Sequence, residues 1–164
     1  MFVIIVQGEI YAYLTIQIYR MKMQGWIATL VYSSIVFDSS VLIVDDDAEF
    51  RSNLTEVLTG AGYLTDNAAS ANETIEKIGA MDIDIRLLNF LMPKMCGIEA
   101  LLAMKRLQPK TKVIMITAFA SVENAIGAIK KGASDYVSKL VKINALMTTI
   151  RRILKEAKFE EVVQ

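Results

Sequence analysis

Short unbroken apolar runs, each followed by a segment with helical periodicity, constrain this chain more than any other feature. "VLIV" at 41–44 is the continuous run expected of a strand buried on both faces. After it, Phe50, Leu54, Val57 and Leu58 recur at helical spacing, and "TGAGY" closes that helix with glycine. "YLTDNA" reads as a second strand, and Ser70 with Glu73 gives a capping-box signature for the helix "NETIEKIGA". "IDIRLLN" is a third strand, leading through a loop to the helix "GIEALLAMKRL". "KVIMITA" and "SVENAIGAIKKG" form the fourth unit, with Ser121 as N-cap, and "DYVS" and "NALMTTIRRILKEAK" the fifth. Five strand–helix units in alternation predict an α/β fold: a five-stranded doubly wound parallel sheet with helices on both faces, spanning residues 40–158, with 159–164 as a short tail.

Residues 1–39 have a different character. Only Glu9, Arg20, Lys22 and Asp38 are charged there, and aromatic residues crowd in. "EIYAYLTIQIY" alternates, with Ile10, Leu14, Ile16 and Ile18 on one face, and Gly25 punctuates a return through "WIATLVYSSIVF", so the pattern is that of a β-hairpin extension. Three readings compete: a segment that is not a native element, a β-arm that dimerises or grips a partner, or a membrane-surface segment. An isolated hairpin is marginal in water, so it should pack on something. Gln7, Gly8 and Glu9 interrupt the first apolar run, and the second falls short of the roughly 20 residues a membrane span needs. No basic cluster precedes the apolar start, so a secretory signal fits poorly.

Composition excludes several classes of chemistry. The chain has no histidine, which removes His-based catalysis, His-metal sites and a histidine phosphodonor. Its 18 basic and 18 acidic residues balance, so no basic excess argues for nucleic acid. A single cysteine, Cys96, allows no intrachain disulfide and points to a reducing, cytoplasmic setting.

In open α/β sheets, ligands bind beyond the carboxyl ends of the strands. The first strand delivers Asp45, Asp46 and Asp47 there; the third delivers Asn89; the fourth, Thr117 and Ala118; the fifth, Lys139. Adjacent carboxylates, a hydroxyl and an ammonium on one edge suit a hard divalent cation with a phosphoryl group. Asp47 also reads as a cap for the next helix.

At this point the blocks "VLIVDDD", "LMPKM-G", "VIMITA" and "GASDYVSK" resemble the signatures of response-regulator receiver domains, the CheY-like family of two-component phosphorelay signalling, from about Val41 to Lys158. The resemblance implies a flavodoxin-like sheet and no enzyme activity of its own. It implies Mg²⁺ held by Asp45, Asp46 and the backbone carbonyl of Leu91. It also implies a switch threonine at Thr117 beside Ala118, a rotating aromatic at Tyr136 and a phosphate-contacting lysine at Lys139. The phosphoacceptor aspartate of the family falls on Asn89, four residues before Pro93.

Four departures gather near that site. A neutral amide at Asn89 is a poor nucleophile and removes a charge, so phosphorylation there and Mg²⁺ affinity should both fall. Leu140 stands where the family has proline; a cis bond before a non-proline residue costs about 2.5–4 kcal/mol, so Lys139–Leu140 is expected to be trans and the ammonium of Lys139 displaced. Arg86 interrupts an apolar strand and should pair with an acid or reach solvent. Cys96 replaces part of an Asp-Gly turn and reads as a loop residue, with a reactive thiol as the sharper alternative.

The leading expectation is a stand-alone receiver with a degenerate phosphorylation site. It would act through a protein partner, a sensor kinase or downstream effector, by the face of the fourth helix, fifth strand and fifth helix. Nucleic acid and membrane binding are not expected, and the arm makes a homodimer a candidate state. The alternatives are a conventional receiver phosphorylated at Asp45 or Asp46, and a haloacid-dehalogenase-like phosphatase with Asp45 as nucleophile and Asp47 as general acid.

Overall fold

A computed structural model describes residues 39–78, 83–93, 95–118, 121–139 and 142–162. The expectations for the arm at 1–38 and for Leu140 lie outside these residues. The element order is β1 (Ser40–Val44), α1 (Ala48–Gly60), β2 (Leu64–Ala68), α2 (Ala71–Ile78), β3 (Ile85–Asn89), α3 (Gly97–Leu107), β4 (Lys112–Thr117), α4 (Val122–Lys130), β5 (Asp135–Ser138) and α5 (Ile143–Val162). The strands form one parallel sheet in the order β2-β1-β3-β4-β5. This is the doubly wound α/β fold that the alternating units predict.

The strand alternation divides the core in two. Val41, Ile43, Ile85, Leu87, Ile114 and Ile116 point to one face, where Leu54 and Leu58 of α1 and Leu146, Ile150 and Leu154 of α5 cover them. Leu42, Val44, Leu88, Val113 and Met115 point to the other, against Ala100, Leu101 and Met104 of α3 and Ala128 of α4. With both faces covered, β1, β3 and β4 can be apolar along almost their whole length.

Helix ends follow the local chemistry. Asp47 Oδ1 accepts from the N–H groups of Glu49 and Phe50, both at 3.0 Å, and Ser121 Oγ accepts from Asn124 N–H at 3.1 Å. At α2, Ser70 Oγ accepts from Glu73 N–H at 3.2 Å, but the Glu73 carboxylate accepts from Ala69 N–H, one residue before the position a capping box uses. α1 is followed by Gly62 at φ 95°, the left-handed turn that glycine makes without Cβ strain.

Two expectations need correction. α5 continues through Val162, so 159–162 belong to the domain's last helix and not to a tail; no glycine or proline stops it, and Glu160 anchors it to Lys112 of β4 at 2.7 Å. Arg86 does not reach solvent. It is fully buried, and its guanidinium donates to Gln108 Oε1 at 2.7 Å, to Ile83 O at 3.3 Å and to Thr111 Oγ1. Neutral oxygens at the start of the sheet accept these three hydrogen bonds. Among the described residues no helix is long and apolar enough to cross a membrane.

Candidate functional site

Strand order reverses between β1 and β3, and the crevice that opens there holds the polar cluster. Parallel register sets Val44 beside Leu88, so the residues that follow, Asp45 and Asn89, leave the sheet side by side. Asp45 is buried to 1% exposure and Asn89 to 5%, while Asp46 is exposed. β4 ends on Thr117, also buried, and its carbonyl accepts from Lys139 N–H at 2.6 Å beyond the end of β5.

The side chains converge. Lys139 Nζ donates to Asp45 Oδ1 at 3.0 Å and lies 2.8 Å from Oδ2, an ion-pair contact that leaves the buried Oδ2 without a hydrogen bond. It also sits 4.7 Å from the centroid of the Phe50 ring, a cation–π contact supplied by the first turn of α1. Asp45 Oδ1 accepts from Asp47 N–H at 3.0 Å, and Arg51 reaches back to the Asp45 carbonyl at 2.6 Å. The ion pair with Asp45 holds the Lys139 ammonium in the cluster.

Asn89 turns its amide nitrogen inward. Nδ2 lies 2.6 Å from Leu91 O, 2.9 Å from Asp46 Oδ1 and 3.3 Å from Asp45 Oδ1. These three oxygens are the set read from the sequence as metal ligands. Two carboxylates and a carbonyl do suit Mg²⁺, which takes oxygens at about 2.0–2.1 Å. The residues present do not fit that ion in this arrangement, since a hydrogen-bond donor already fills the space between the three oxygens. Among the described residues no group of three His, Cys, Asp or Glu side chains is arranged to hold a metal.

Tyr136 shares a hydrogen bond with Thr117 and meets Phe90 edge-on, ring centroids 6.2 Å apart and planes at 75°. Burial pushes its phenol above the usual tyrosine range, with the Thr117 hydrogen bond pulling the other way. Ala118 is exposed at the rim, and Leu91 is 46% exposed although its carbonyl faces inward.

Sequence reading missed three contributors. Phe50 was visible only as an apolar helical position. Arg51 carried no motif. Gly97, inside the "LMPKM-G" block, opens α3, and a Cβ there would lie 2.5 Å from Asn89 O and 2.7 Å from Phe90 Cα. Its N–H donates to Phe90 O at 2.8 Å, so α3 starts directly against the loop that carries Asn89. Cys96 is exposed at the N-cap of α3, its N–H donates to Glu99 and its thiol lies 3.9 Å from Phe90 O.

The response regulator receiver domain model matches residues 41–151. The chain belongs to the receiver family. It is 33% identical over 116 residues to the chemotaxis protein CheY of Thermotoga maritima, covering 70% of this chain and 97% of that protein. A CheY-like receiver from Methanospirillum hungatei superposes with a TM-score of 0.71 at 34% identity, covering 74% of this chain and 98% of that one. A CheX–CheY complex from Borrelia burgdorferi with BeF₃ and Mg²⁺ matches at 30% identity and a TM-score of 0.67, covering 70% of this chain and 88% of that one. The chain spans about a quarter of the length of the transcriptional regulators it also matches.

Proposed function

We propose that this receiver takes no phosphoryl group at residue 89 and works as a protein-binding module of a two-component system, with no catalysis of its own. The observation that carries the reading is the Asn89 carboxamide itself: the group at the acceptor position is neutral, and its nitrogen is engaged by three acceptors. A carboxylate attacks phosphorus with oxygen lone pairs; an amide nitrogen has none to offer.

The partner surface is the α4–β5–α5 face. Val122, Ile126 and Ile129 are 70%, 49% and 47% exposed and fall on one side of α4, a stripe suited to a sensor kinase or a downstream effector in the cytoplasm. Tyr136, on β5 between that face and the cluster, is held inward by Thr117, which favours one preset surface over a switching one.

The neighbouring carboxylates argue against the other readings. Asp45 is buried in its ion pair with Lys139. Asp47 is committed to two N–H groups, and the hydrogen bond from Phe50 N–H leads the causes that hold its carboxyl below the usual range, the wrong direction for a general acid.

Intact-mass spectrometry after incubation with Mg²⁺ and acetyl phosphate tests the proposal, with Asn89→Asp alongside. The natural chain is expected to gain no phosphoryl mass while the variant does. A phosphoryl group on the natural chain, mapped to Asp45 or Asp46, would show that the acceptor has moved.

A further inference from the structure

We infer that the Asn89 carboxamide is a built-in substitute for the divalent cation. Its Nδ2 bridges the Asp45 and Asp46 carboxylates and the Leu91 carbonyl, and it keeps the pocket assembled without metal. The inference rests on the reading of residue 89 as a non-acceptor and goes further, since a residue can fail as a nucleophile and still leave a metal site intact.

Three oxygens, two beyond the end of β1 and one in the loop after β3, surround a single nitrogen at 2.6–3.3 Å. An amide nitrogen carries two hydrogens. The short contacts to Leu91 O and Asp46 Oδ1 use them well, and the longer one to Asp45 Oδ1 shares one. Turning the amide over would aim Oδ1 at three oxygens, all acceptors in this setting. With no cation between them, nitrogen-inward is the only orientation that makes hydrogen bonds.

Charge leads to the same place. Asp45, Asp46 and Asp47 with the Lys139 ammonium and the Arg51 guanidinium leave one net negative charge. A carboxylate at 89 would leave two, which a divalent ion balances. The carboxamide removes one of those charges and points its positive edge at the rest. It thereby ties β1 to β3 across the point where strand order reverses, and it fixes the Leu91 carbonyl at the start of the loop to α3.

Thermal unfolding of the full chain tests this, in chelator and in Mg²⁺ or Mn²⁺ at matched ionic strength. The natural chain is expected to hold its midpoint within about 1 °C up to about 10 mM cation, while Asn89→Asp rises roughly 5 °C at a tenfold excess of cation over its dissociation constant. Asn89→Ala is expected to unfold at a lower temperature than the natural chain in chelator, because the bridge is gone. A natural chain that climbs with Mg²⁺ as far as Asn89→Asp overturns the inference. So does an Asn89→Ala variant as stable as the natural chain in chelator. The phosphoryl-mass experiment reads the non-acceptor claim separately, so failure of that claim is told apart from failure of this one.

Discussion

Arg86 and Asn89 lie on the same strand, one near each end of β3, and both are buried where the rest of the strand is aliphatic. At the amino end a cation donates to neutral oxygens, Gln108, Thr111 and the Ile83 carbonyl. At the carboxyl end a neutral amide donates to two carboxylates and the Leu91 carbonyl. Each position pairs a charged group with uncharged ones, in opposite senses. The comparison teaches that donors are matched to acceptors in both pockets, whichever partner carries the charge. It also separates scaffold from site: the Arg86 pocket lies toward the amino end of β3, while the Asn89 pocket belongs to the polar cluster at the carboxyl ends of the strands.

The most severe way to break the comparison is Arg86→Ala, which leaves a cavity and strips Gln108 and Thr111 of their donor. The expected cost is about 3–5 kcal/mol in urea unfolding, with Arg86→Met recovering most of it by refilling the volume. Gly97→Ala comes next, because the added Cβ meets backbone, not a movable side chain. A loss of about 3 kcal/mol is expected, and a shift in the Asn89–Leu91 amide resonances by NMR would mark the loop as displaced. Asn89→Ala should cost about 1–3 kcal/mol in metal-free buffer, the price of leaving carboxylate and carbonyl acceptors without their donor. If Asn89→Ala proves costlier than Arg86→Ala, the division into scaffold and site is wrong.

Asp47 sharpens the contrast from outside, as an exposed carboxylate on neutral N–H groups, and gives the smallest effect. Its folded-state pKa lies below the ordinary 3.8, chiefly through the Phe50 N–H. Its stabilisation is therefore full above that value and lost as pH falls through the lower folded value. The stability gap between the natural chain and Asp47→Ala should be open at neutral pH and closed in acid, as denaturant midpoints at each pH would show.

The fold was legible because strands buried on both faces leave an unmistakable record of apolar runs, and helix caps such as Asp47 and Ser121 act through neighbours in sequence. The membership of the cluster was legible for the same reason: parallel strands of similar length end together, so Asp45, Asn89, Thr117 and Lys139 had to emerge on one edge. Orientation was not. Nothing in sequence distinguishes an Asn89 that presents oxygen from one that presents nitrogen, since that depends on the acceptors gathered from β1 and from its own loop. The Arg86 pocket was not legible because Gln108 and Thr111, which accept from it, come from the turn before β4 and look like ordinary surface residues in sequence. The end of α5 was drawn too early because the pairing of Glu160 with Lys112 crosses from helix to sheet.

Asparagine and aspartate have the same shape, and their codons differ by a single base. With Lys139, Thr117, Asp45 and Asp46 already gathered around residue 89, one transition in the gene would set a carboxylate into a pocket whose other walls still stand. Such a change would alter the charge of the cluster without altering its shape.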